Sequence, residues 1–147
     1  MPTSFSDHHT AVMDHLDARR QFLCQFVSSL GNDDLERARR GGWTIARVLE
    51  HIIDSEWHYA RLVRRLRACD DITPEAGPVV DVQAAVERLA SSRRALIDAV
   101  DGVSEDDFYR LATSGREEYS VVSVLENVEQ HDIEHATQLQ SIHAEAT

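Results

Sequence analysis

The chain has 147 residues, 42% of them hydrophobic, and a formal net charge of -11 at pH 7. This length suffices for one domain with its own core, so we expect a single domain over residues 1–147. The acidic excess disfavours nucleic acid and anionic membrane surfaces as partners, and no apolar run approaches the roughly 18–20 residues of a membrane span.

The N-terminal part of the chain shows no basic segment followed by an apolar block, so we expect no signal peptide and a cytoplasmic location. The two cysteines, Cys24 and Cys69, are too few for a disulfide framework and suit a reducing compartment as free thiols. The first predicted helix carries apolar residues at helical spacing from Val12 to Leu30 and ends at Gly31.

Three further helices are predicted from the same kind of pattern. Each begins after a potential N-cap residue: Thr44 before 45–66, Asp81 before 82–100, and Ser120 before 121–142. No credible strand pattern appears in the connections. Four helices with inward apolar stripes predict an all-α protein, a four-helix bundle. The connections are long for tight hairpins, which leaves crossover connections open.

Two histidines lie on the apolar stripe of the fourth predicted helix. His131 and His135 are four residues apart, so their rings lie on one helix face and can point at one spot in the bundle interior. His51 occupies a similar position on the second helix. Three imidazoles could hold one divalent ion and leave positions open for water or substrate, as in catalytic zinc sites. The alternative is that they are ordinary core histidines with backbone or water partners.

Other polar residues near the apolar stripes of the helices each have two possible roles. His58 lies two turns beyond His51 and could act as an acid or base, or lie at the surface. Arg93 falls on the inward stripe of the third helix and could meet an anionic substrate group, or extend to solvent. Asp132 or Glu134 could serve as outer partners of the metal ligands.

Two other metal motifs are disfavoured. The segment HDIEH has the spacing of the HExxH zinc proteases, but Asp132 stands where they carry the glutamate base. A di-iron bundle needs two Glu-x-x-His motifs, and only one candidate segment, around Glu126 and Glu129, is present.

Two segments together resemble the DinB/YfiT-like superfamily. GGWTIARVLEHIIDSEWHYARLVRRL (Gly41–Leu66) resembles the segment that opens its second helix, and VEQHDIEHATQLQSI resembles its closing H-D-xx-H-xx-Q-I segment. The resemblance implies a four-helix bundle with one divalent metal held by His51, His131 and His135. It also implies that Trp43 is a structural anchor and that the protein is a homodimer.

The function implied by this resemblance is not uniform across the superfamily. Some members transfer small thiols such as bacillithiol, or use mycothiol on small electrophiles, and we expect such a metal-dependent transferase with a small-molecule substrate. The alternatives are a metal-dependent hydrolase and a non-enzymatic metal-binding or stress-associated protein. Zinc or nickel is the expected metal, with iron or manganese as further candidates.

Overall fold

The computed structural model describes residues 4–145. In chain order, its elements are α1 (Phe5–Ser28), a 3-10 helix (Asn32–Glu36), α2 (Ile45–Leu66), α3 (Val82–Val100), the short α4 (Glu105–Tyr109), strands β1 (Ala112–Ser114) and β2 (Glu117–Tyr119), and α5 (Val121–Glu145). The prediction of an all-α four-helix bundle is confirmed, and α1, α2, α3 and α5 form it. None of the described helices is long and apolar enough to cross a membrane.

The predicted N-caps position the starts of three long helices. The side chains of Thr44, Asp81 and Ser120 each accept a hydrogen bond from the backbone N–H three residues later, at 3.1, 2.7 and 3.2 Å. Such bonds satisfy a backbone donor that the first helical turn leaves unpaired. In α1, the same role belongs to Ser4, so this helix begins before the apolar pattern does.

The expectation that the connections contain no strand was wrong. Residues 101–120 include α4 and an antiparallel hairpin in which Ala112 pairs with Tyr119. Its turn contains Gly115, whose φ of +66° lies in the left-handed region that favours glycine. Because each strand has only three residues, the sequence offers too few alternating positions for the hairpin to be recognised.

The four long helices do not follow one another around the bundle. Helix α1 packs against α3 and α5, and α2 packs against the same two helices. Consequently α1 lies diagonally opposite α2, and α3 lies diagonally opposite α5. The chain therefore crosses the bundle between α1 and α2 and again between α3 and α5, which answers the question left open by the long connections.

The apolar core is divided into two clusters along the helix axes. The first apolar cluster includes Leu23 of α1 and Leu139 of α5. The second apolar cluster includes Leu16 of α1 and Val128 of α5. Between them, each long helix contributes buried polar side chains, so the two clusters are separated by a polar layer.

This layer is an ionic network of Arg20 from α1, Glu56 from α2, Arg93 from α3 and Asp132 from α5, which we call the central ionic layer. Arg20 contacts Glu56 at 2.8 Å and Asp132 at 3.0 Å. Arg93 contacts the same two carboxylates at 2.7 and 2.9 Å. The Ser92 hydroxyl donates a further hydrogen bond to Glu56 at 2.6 Å. Two positive and two negative charges thus balance within the core.

Burial makes this balance necessary. The side chains of Glu56 and Asp132 are only 2% and 1% exposed. Water therefore cannot solvate either negative charge, and each needs a positive partner within the protein. Burial alone would lower the pKa of Arg20, but the charges of Glu56 and Asp132 outweigh it and raise that pKa well above its usual value. The two acids therefore hold Arg20 in its charged form.

We predict that Arg20→Met destabilises the bundle by about 3–5 kcal/mol, because it leaves two buried carboxylates with a single guanidinium. The free energy of unfolding from urea denaturation, followed by circular dichroism, measures this. The matched control is Arg39→Met, which removes an exposed ion pair with Glu145 and should cost no more than about 1 kcal/mol. Equal losses in the two variants would contradict a structural role for the central ionic layer.

Candidate metal centre

Three histidines from two helices meet at one place in the bundle. His51 of α2 and His131 and His135 of α5 each offer one nitrogen, and these atoms all lie within 4.8 Å of one another. The ring centroid of His51 is 6.2 Å from that of His131 and 5.0 Å from that of His135, and the last two are 5.2 Å apart. The three residues proposed from the sequence are therefore brought together in a group that could hold a metal ion.

The histidines lie at the margin of the buried face, not at its centre as expected from the sequence. All three are half-buried, whereas Asp132 beside His131 is buried. The buried face of α5 is broad, and its central position is taken by the acid that pairs with Arg20 and Arg93. His131, one position before Asp132, and His135, three positions after it, both turn toward the same edge of this face. The site is therefore partly exposed to solvent.

The electrostatics of the site favour uncharged imidazoles. The pKa of His51 is lowered first by burial and then by the neighbouring His135 and His131, with the Asp54 charge opposing them. The pKa of His131 is lowered by burial and by His135. Since a metal ion binds the neutral imidazole, two ligands are held in the form that coordination requires at neutral pH.

Gln138 orients His135. The His135 Nδ1 atom lies 2.8 Å from Gln138 Oε1, one turn further along α5. An amide oxygen only accepts hydrogen bonds, so Nδ1 carries the proton and the lone pair of Nε2 stays free for a metal ion. Outer partners of this kind commonly fix the tautomer and ring orientation of metal-binding histidines.

Two aromatic side chains contact the histidines. The Trp43 ring lies 5.5 Å from the His51 ring, with the Arg47 guanidinium 5.2 Å above the indole. Trp43 is 48% exposed and borders the site; its expected role as a structural anchor stays a prediction. The Tyr59 ring lies 5.5 Å from the His131 ring.

Tyr59 was not predicted from the sequence as a residue of the site. The signal that could have revealed it is its position eight residues after His51 on the same helix, about 80° around the helix axis and within the same broad inward stripe. Its pKa is raised by burial.

The structure places the other candidates elsewhere. His58 is exposed and borders a surface pocket together with Asp54 and Pro74, outside the three-histidine group. The Arg93 guanidinium, expected either at a substrate or in solvent, donates instead to Glu56, Asp132 and the Leu16 carbonyl in the central ionic layer. Catalytic roles for His58 and Arg93 stay predictions.

The carboxylates suggested as outer partners also have other contacts. Asp132 accepts hydrogen bonds from Arg20 and Arg93, and the exposed Glu134 accepts one from Gln130 at 3.2 Å. Cys24 and Cys69 are free thiols.

The sequence was compared with models of known protein families. Residues 15–139 match the DinB superfamily model. A search of curated proteins gave no match.

Solved structures share the fold of the chain. The DinB-like protein YjoA from Bacillus subtilis superimposes with a TM-score of 0.70 at 11% identity, covering 92% of this chain and 91% of that one. A DinB-like protein from Bacillus cereus gives 0.66 at 13% identity, covering 92% and 90%. The four-helix bundle protein TT2238 gives 0.68 at 22% identity, covering 89% and 96%. At these identities the likeness extends to the fold alone.

We predict that Gln138→Ala lowers the zinc affinity of the protein roughly 10- to 100-fold, because His135 loses the partner that sets its tautomer. Competition with a chromogenic chelator measures the affinity. Gln140→Ala, at an exposed position of the same helix, is the control and should bind zinc like the unmodified protein. Identical affinities for the two variants would show that Gln138 has no such role.

Proposed function

The chain belongs to the DinB superfamily, and from this premise and the histidine geometry we propose that it binds one divalent transition metal through His51, His131 and His135. The observation that carries the proposal is the convergence of three imidazole nitrogens within 4.8 Å. Nitrogen donors of this kind suit zinc, nickel and other ions that prefer imidazole.

We further propose that the protein transfers a low-molecular-weight thiol, of the bacillithiol or mycothiol type, to a small electrophile. A metal ion bound here would stabilise the thiolate form of such a thiol, which is the nucleophile near neutral pH. The chain itself supplies three neutral ligands, an open edge for two small substrates, and the flanking rings of Trp43 and Tyr59 against which apolar parts can pack.

The position of Asp132 favours thiol transfer over hydrolysis. Hydrolases with a related motif use a carboxylate beside the metal to take a proton from water. In this chain, the carboxylate at that place in the sequence is buried and paired with Arg20 and Arg93. Thiol transfer would not require such a base, because a thiol that binds a metal ion here would release its proton to solvent on binding.

We expect the zinc- or nickel-loaded protein to consume chlorodinitrobenzene only when a thiol such as bacillithiol is also present, with a rate that falls to background in His131→Ala. The absorbance of the thioether product measures the rate. His15→Ala, an exposed histidine of α1 outside the cluster, is the matched control and should retain the rate. Release of a chromogenic ester without thiol would indicate a hydrolase instead, and inertness in both assays would indicate a non-enzymatic metal-binding protein.

A further inference from the structure

The hydroxyl group of Tyr59 lies at the histidine site without a good hydrogen-bond partner. Its oxygen is 3.5 Å from His131 Nε2, and within residues 4–145 it has no other hydrogen-bond partner. The ring meets the His131 ring edge-on, with an interplanar angle of 88°. The Tyr59 ring also packs on the second apolar cluster. The phenol is therefore held beside His131 by packing.

The distance between these two atoms argues against an ordinary hydrogen bond. Hydroxyl donors normally approach their acceptors to about 2.5–3.0 Å, and a separation of 3.5 Å is poor for one. Two donors that share one metal ion, each at about 2.0–2.1 Å from it, stand roughly 3–3.5 Å apart. The observed separation lies at the upper end of that range.

We propose that the phenol oxygen of Tyr59 is a fourth protein donor to the metal ion held by His51, His131 and His135. As the oxygen–metal bond forms, the O–H bond breaks and the proton passes to solvent. The inference rests on the proposed metal-binding function and adds an anionic oxygen to its three neutral nitrogens. Such a donor set lowers the net positive charge of the bound ion, and it favours ions that accept both nitrogen and oxygen ligands.

Cu²⁺ is a suitable probe, because it binds nitrogen and oxygen sites more tightly than the other divalent first-row ions and forms a coloured complex with phenolate. We expect the copper-loaded protein to show an intense phenolate-to-copper charge-transfer band, with phenolate ring modes in its resonance Raman spectrum. Tyr59→Phe should bind one copper ion without this band, and with an affinity at least about tenfold lower.

Tyr119→Phe is the matched control. The Tyr119 hydroxyl donates to Glu117 Oε2 at 2.9 Å and belongs to the hairpin, so its variant should keep both the band and the affinity. One bound copper ion with no such band, or with a band unchanged in Tyr59→Phe, would overturn the tyrosine ligand while leaving the three-histidine site intact. Failure of the unmodified protein to bind copper, or unchanged binding in His131→Ala, would overturn the tyrosine ligand and the metal site together.

Discussion

The central ionic layer constrains every long helix of the bundle, because Arg20, Glu56, Arg93 and Asp132 come from four different helices and each arginine contacts both acids. Buried ion pairs add little net stability over apolar residues of the same size, since desolvation offsets much of their attraction. A misaligned arrangement, however, would leave a charge buried without a partner, at a cost of several kcal/mol. We infer that the layer selects one relative alignment of the helices, while the two apolar clusters supply most of the favourable free energy.

That alignment also determines where the histidines meet. On α5, Asp132 points into the layer, and His131 and His135 lie at the edge of the same face. On α2, Glu56 points into the layer. The ring of His51 lies 5.0 Å from that of His135 and the ring of Tyr59 lies 5.5 Å from that of His131, so these edges of α2 and α5 face each other. Sliding either helix by one turn, about 5.4 Å, would separate the imidazoles beyond the reach of one ion.

The sequence was sufficient to predict the parts of this protein that depend on local patterns. Helix positions, the caps at Thr44, Asp81 and Ser120, and the grouping of His51 with His131 and His135 all follow from spacing along one or two helices. The central ionic layer did not follow, although Arg20 and Glu56 both lie on otherwise apolar stripes. Which buried arginine meets which buried acid depends on contacts between helices, and a single sequence does not contain that pairing.

The same limitation explains why the site was expected in the bundle interior. A helical stripe shows which residues share a face but not how wide the buried part of that face is. Once Asp132 takes the central position, its neighbouring histidines lie at the margin, half-exposed and beside Tyr59. The partial exposure of the three histidines is therefore a consequence of the ionic layer.

Metal content tests this account most directly. Untagged protein purified without a nickel column would be analysed by inductively coupled plasma mass spectrometry, beside His51→Ala, His135→Ala and the exposed control His15→Ala. The account predicts about one equivalent of a transition metal in the unmodified protein and in His15→Ala, and its loss in the other two variants. A protein that contains no metal and takes up neither added zinc nor added nickel would contradict it, and so would a metal content unaffected by either substitution.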